Sequence, residues 1–337
     1  GGLDSSTVLG AMKHIVNISQ MNVSRNWCHA FVASMPGTSI DETQYAETAA
    51  NYVDVDIEKV MVTSAIAPEK LFEYLYICED PYITSPIPFM QTYNSIAKSG
   101  IKVTIDGHGA DELFGGYSFD IFYAALESTC DLQGLKDIWE TYNHMSLPES
   151  VISYDDFIFK IKKLSVDYTI DKDKELKILG PFNQNLYMQS HKNVLPTLLR
   201  CYDRYSMGNG LEIRMPFMDY RIVSFAFSIP WKSKINGGYG KKIIRDMAAP
   251  FMDKKIIYRK DKIGFNSPMT EWMQGNMKEF ILDTIHSKDF YECELLNPLN
   301  VIIKINEFYK NQNHDFESGQ EIWKLLIPFL WKKAMHL

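Results

Sequence analysis

Polar, turn-forming segments stand at GGLDSS (1–6), MPGTSID (35–41) and DGHGADE (106–112), and the last two directly follow strand-like apolar runs. HAFVASM (29–35), KVMVT (59–63) and IKVTID (101–106) read as buried strands. Helical stretches alternate with them. Val8, Met12, Ile15 and Val16 form a stripe after the opening turn. Ser39 and Glu42 have the spacing of a capping box before the stretch ending at Val53. Pro68 suits the first turn of a helix, and Gly100 suits the end of another. Strand alternating with helix predicts an α/β fold, a parallel doubly wound sheet covered on both faces. Ligands of such sheets bind beyond the carboxyl ends of the strands. The polar segments therefore point to one shared site.

From residue 118 onward the pattern becomes mainly helical, rich in Tyr, Phe, Leu and Lys. We expect an α/β part over 1–117 and a mainly helical part over 118–337, with Gly115-Gly116-Tyr117 as the hinge. Ile322, Leu325, Leu326 and Leu330 share one side of the final helix, and the aromatic stripes read as core. A chain of 337 residues, 46% hydrophobic and 23% charged, can bury a core without disulfides. A net charge of −7 argues against a nucleic-acid partner. Cys28, Cys78, Cys130, Cys201 and Cys293 are scattered with no C-x-x-C, which predicts reduced thiols in a cytoplasmic protein. No apolar run is long enough to span a bilayer, so no membrane partner is expected. The sequons at Asn17 and Asn22 read as chance.

A Gly-Gly turn opening a helix exposes N–H groups at the positive end of the helix dipole, which makes an anion site. Ser5 and Ser6 add hydroxyls. Asp4 beside an anion calls for a bridging Mg²⁺. No G-x-x-x-x-G-K-[ST] is present, so this is not a Walker loop. In TIDGHGADELFGGY (104–117), Gly107 and Gly109 permit close backbone approach, and Asp111 and Glu112 follow at a helix start. Asp4 and Asp111 could share the metal. Read alone, the two stretches are also compatible with a plain helix cap and an ordinary strand-to-helix loop.

Together the motifs resemble a known family. GGLDSS resembles the S-G-G-x-D-S pyrophosphate loop of the N-type ATP pyrophosphatases without its leading serine. DGHGADELFGGY (106–117), the segment 203–230 and the segment 241–265 resemble, in order, further signatures of the asparagine synthetase family. The resemblance places Gly1 inside the first motif. A first strand at the centre of the sheet, the leading serine and a glutaminase domain with an N-terminal cysteine would precede it. Without that strand the loop would be unanchored and the chain would fold poorly.

The resemblance implies an ATP-dependent amide-forming ligase. A substrate carboxylate, aspartate in asparagine synthetases, attacks the α-phosphorus of ATP, pyrophosphate leaves, and glutamine-derived ammonia or an amine displaces AMP. It assigns Gly1, Gly2, Asp4, Ser5 and Ser6 to the pyrophosphate loop, and Asp4 and Asp111 to Mg²⁺. Ala33, Asp106 and Gly107 would lie by the adenine and ribose. Lys262 would neutralise the α-phosphate and carboxylate in the transition state. Glu212 would lie near the acceptor. Lys241, Lys242 and Arg245 could also face phosphate, although spacing alone favours a solvated helix face.

His108 stands where asparagine synthetases usually carry an acidic residue. It can serve as a base when unprotonated, or as a neutral spacer. Asp106 replaces a more usual serine, and EDPYITSPIPF (79–89) lacks an arginine that some members carry. These departures bear on the acceptor more than on adenylation. Ligation of a sugar or peptide carboxylate is the close alternative. A tRNA-thiolating relative and an inactive nucleotide-binding domain are the others.

Overall fold

The opening turn leads straight into helix α1 (Leu3–Ile18), capped by Gly2 in an extended conformation. The computed structural model describes residues 1–337 other than 25–26, 129–131, 147–149, 169–175, 261 and 312. α1 buries Leu3, Ser6, Thr7 and Val8 at its start, whereas Ile15 is exposed. The expected apolar stripe therefore holds only in the first half of the helix.

β1 (Ala30–Ser34) and β2 (Ile57–Met61) pair in parallel from Ala30↔Ile57 to Ser34↔Met61, joined across helix α2 (Thr43–Tyr52). The capping box does not form. Asp41 Oδ1 instead accepts from the Thr43 amide at 3.2 Å, while Ser39 bonds Glu271 and Glu42 pairs with Arg259. The cap residue, Glu42, makes no side-chain cap hydrogen bond, and the two expected partners are drawn into tertiary contacts. Helix α3 (Pro68–Cys78) begins on Pro68 as expected, and helix α4 (Ile87–Lys98) stops before Gly100, whose φ is +82°. β3 (Val103–Ile105) then leads into the short helix α5 (Ala110–Phe114).

The parallel pairing and the helical cover are as expected, but one doubly wound sheet is not seen among the described residues. β3 pairs instead with β4 (Glu212–Arg214) in the helical half, Val103↔Glu212 to Ile105↔Arg214. The result is two separate two-stranded parallel ladders. Both β1 and β3 line one cavity of about 860 Å³. A strand as short as β4 leaves too little periodicity to be read from sequence.

Helices form the rest. One core gathers Phe89, Tyr205, Trp323 and Leu326, a second lies under α1 around Val8, Phe114 and Ile257, and a third joins Ile121, Phe157, Phe182 and Leu186. In the last helix, Phe316–Ala334, Ile322, Leu326 and Leu330 are buried as their spacing predicts. Cys78, Cys201 and Cys293 are buried and Cys28 partly so, all as free thiols, while Cys130 lies outside the described residues. No described helix is long and apolar enough to cross a membrane.

Candidate active site

The site forms where the starts of α1 and α5 meet beyond the carboxyl end of β3. A Cβ on Gly107 would lie 2.7 Å from both the Asp4 carbonyl carbon and the Ser5 nitrogen. Only glycine lets the loop after β3 rest on the first turn of α1. A Cβ on Gly116 would fall 1.6 Å from Asp111 Oδ1. Glycine there leaves room for the Asp111 carboxylate.

Four charges converge on this contact. Lys241 Nζ donates to Asp4 Oδ1 at 2.7 Å, to Asp4 Oδ2 at 2.8 Å and to Asp111 Oδ1 at 2.7 Å. Lys262 Nζ donates to the same Asp111 oxygen at 2.9 Å and to the Gly116 carbonyl at 2.8 Å, and lies 3.9 Å from the Tyr117 ring centroid. Burial opposes ionisation of Asp111, but Lys241 and Lys262 outweigh it and hold its carboxyl well below the ordinary range. Asp4 is shifted the other way: burial pushes it up, Lys241 pulls it back, and Asp111 repels it. Burial disfavours the Lys241 ammonium, yet the two carboxylates together raise its pKa.

Sequence spacing put Lys241, Lys242 and Arg245 on a solvated face, and the structure corrects this. The Lys241 side chain is 7% exposed and bridges the two aspartates. Arg245 is buried, donating to the Gly240 carbonyl at 2.8 Å and the Arg259 carbonyl at 3.0 Å. Only Lys242 behaves as expected, half-exposed and paired along its helix with Asp246. Arg259 also lines the cavity; its Nη1 donates to Glu42 at 2.6 Å, while Nε and Nη2 are buried with no hydrogen-bond partner among the described residues.

Asp4 and Asp111 fit a divalent cation on one observation: a single ammonium already bridges both carboxylates. Magnesium is commonly held by one or two carboxylates, with phosphate oxygens and water completing its shell. Among the described residues, no group of three or more His, Cys, Asp or Glu side chains is placed to hold a metal. The site therefore suits a cation that arrives with a phosphate ligand.

Glu112 is buried and accepts from Tyr117 Oη at 2.5 Å. Burial, and then Asp111, push its carboxyl from 4.5 up to about 7, against the Tyr117 hydrogen bond. The folded state thus holds a proton that the unfolded chain releases. The contribution of Glu112 to stability falls as pH rises from 4.5 to about 7 and is level above that. Glu112→Gln keeps an acceptor for Tyr117 and is expected to stabilise the fold by about 2–3 kcal/mol at pH 8 and by little at pH 4. Urea unfolding at the two pH values checks this, and an equal effect at both would contradict it.

Ala33, Asp106, Gly107 and His108 all line the same cavity. Tyr93 Oη donates to Asp106 Oδ2 at 2.8 Å. The His108 ring meets Tyr202 edge-on, with centroids 3.9 Å apart. Burial lowers the His108 pKa, while Asp106, Asp4 and Asp111 oppose the shift. Glu212 is not brought to this group. It begins β4 opposite Val103, at the amino end of a ladder whose carboxyl end carries the site, and it pairs with Arg214 in solvent. Strand direction, invisible in a motif match, separates it.

Residues 1–335 match the asparagine synthase family. Over 98% of the chain the sequence is 25% identical to asparagine synthetase [glutamine-hydrolyzing] 1 of Bacillus subtilis, of which it covers 54%. It is 22% identical to asparagine synthetase [glutamine-hydrolyzing] of Zea mays, covering 92% of this chain and 45% of that one. It is 23% identical to amidase chry2 of Gibberella zeae, covering 85% and 51%. The chain thus spans about half the length of these relatives. With the match running over nearly its whole length, the chain belongs to the asparagine synthase family.

Proposed function

We propose that this chain is the synthetase part of an ATP-dependent, amide-forming ligase. The observation that carries the reading is the meeting of Asp4, Asp111, Lys241 and Lys262, from three separate segments, at the carboxyl end of a parallel ladder. Such a cluster suits a reaction in which charge develops on phosphate oxygens.

ATP is a substrate. Its pyrophosphate portion meets the N–H groups of Gly1 and Gly2, the start of α1, and Ser5 and Ser6. Adenine and ribose lie by Ala33, Asp106 and Gly107. Asp4 and Asp111 would hold Mg²⁺, which would supply neutralisation of phosphate charge. Lys262 offers its ammonium to the α-phosphate as the substrate carboxylate attacks phosphorus. The carboxylate–phosphorus bond forms, the bond to pyrophosphate breaks, and an acyl-adenylate remains. Lys241, released from the aspartates, follows the departing pyrophosphate. An amine or ammonia then attacks the acyl carbon, AMP leaves, and His108 takes the proton from nitrogen.

Aspartate is the first acceptor to test, in line with the names of the B. subtilis and Z. mays relatives. A second reading is a larger carboxylate on a sugar or peptide. It is favoured by the cavity wall beside His108, built from Phe89, Tyr93 and Tyr202, and by the absence of arginine from residues 79–89. The supply of ammonia by a glutaminase partner domain belongs to the same proposal. Carboxylate-dependent ATP–pyrophosphate exchange is the experiment. Exchange with aspartate supports the first reading, and exchange only with another carboxylate supports the second. Nucleotide binding without exchange from any carboxylate would point to an inactive nucleotide-binding domain.

A further inference from the structure

His108 holds a polar atom without a hydrogen bond among the described residues: its Nδ1 is buried and has no partner there. A buried orphan of this kind asks for a physical account. Asp106 Oδ2 stands 3.7 Å from it, just outside hydrogen-bond range. The same oxygen is held from the other side by Tyr93 Oη at 2.8 Å, and Tyr202 backs the imidazole. A shift of less than ~1 Å closes the remaining gap.

We propose that Asp106, anchored by Tyr93, is the positioning residue that fixes His108 as the proton acceptor of the amide-forming step. The inference rests on the ligase reading above. With Nδ1–H donated to Asp106, the neutral ring keeps its lone pair on Nε2. As the amine nitrogen bonds to the acyl carbon, the bond to AMP oxygen breaks and AMP leaves with that electron pair. The nitrogen proton passes to Nε2, and Asp106 stabilises the imidazolium, the role of the aspartate in an Asp–His pair. Burial supports a neutral resting ring. The groups facing it are Asp106 on its own loop, Asp4 from α1, Asp111 from α5, Tyr93 from α4 and Tyr202 from the helix Leu195–Met207.

The test compares the two half-reactions in wild type and Asp106→Asn, using the carboxylate that supports exchange. Amide formation is expected to fall on the order of 10²-fold further than ATP–pyrophosphate exchange. Hydroxylamine, whose nitrogen in the protonated adduct is far more acidic than that of ammonia, gives up its proton to water more readily and is expected to recover much of that difference. Equal falls in both half-reactions would overturn the proposal, since a merely structural aspartate damages both. Nitrogen-15 shifts of His108 give an answer independent of turnover. Nδ1–H in wild type and its loss in Asp106→Asn support the pair, whereas Nε2–H in wild type overturns it. If no carboxylate supports exchange, the ligase reading fails while the tautomer still decides the pair.

Discussion

Lys262→Met is expected to lower ATP–pyrophosphate exchange on the order of 10²–10³-fold, almost wholly in kcat. Lys262 Nζ is held on two sides, by Asp111 Oδ1 at 2.9 Å and the Gly116 carbonyl at 2.8 Å, with the Tyr117 ring beneath it. An ammonium fixed in this way needs little reorganisation when charge builds on the α-phosphate. Its effect then appears in the transition state more than in ground-state binding. The fold should tolerate the loss, because Asp111 keeps Lys241 as a partner. Lys262→Arg is expected to rescue poorly, since a planar guanidinium does not reproduce the point charge or its perch on Gly116. Steady-state exchange kinetics with a thermal melt decide the matter. A rise in KM at unchanged kcat would assign Lys262 to substrate binding alone.

Lys241→Met is expected to destabilise the folded chain by about 3–5 kcal/mol near neutral pH. The side chain is 7% exposed, and its removal strips Asp4 of both hydrogen bonds given by this ammonium. Asp111 retains Lys262, so the unpaired charge falls mainly on Asp4. The sign with pH follows from that carboxylate. Its folded pKa is already raised, and losing Lys241 raises it further, so the variant loses stability as pH rises and comes nearest to wild type around ~4. Asp4→Asn in the same chain is expected to return most of the loss. Chemical unfolding of the two single variants and the double one forms a closed cycle. A Lys241→Met loss below about 1 kcal/mol, or full additivity with Asp4→Asn, would show that the bridge carries no stability.

What the sequence revealed about this site depends on how local each signal is. Asp4 and Asp111 stand out as carboxylates at glycine-bearing turns, which suggests an anion and metal site beside a plainer cap-and-loop reading, and Lys262 stands out only through the family resemblance. Lys241 does not stand out. Its neighbours Lys242 and Arg245 complete a basic helical spacing, and only tertiary packing turns it inward, with a left-handed φ of +52° at the helix cap. Glu212 shows the converse: a matching motif, at the wrong end of its strand. The strand runs at β1 and β3 were legible from β-branched and apolar clustering. β4 was not, because its pairing with β3 joins residues more than a hundred positions apart. The capping box failed for a related reason, since Ser39 and Glu42 found distant partners in Glu271 and Arg259.

The split of the strands into two ladders moves the burden of cohesion onto helices. A two-stranded ladder is marginal by itself and borrows its stability from whatever covers it. α4 lies against both β1 and β2, and its Tyr93 reaches over to Asp106 at the end of β3. The helix Leu195–Met207 in turn lies against α4 and β4. These two helices act as the keystone between ladders that share no hydrogen bond of their own. The cavity-lining loops therefore keep their mutual spacing only as well as α4 keeps its seat, and a cavity made under Phe89 or Tyr205 would be felt at Asp106 before it was felt at the surface.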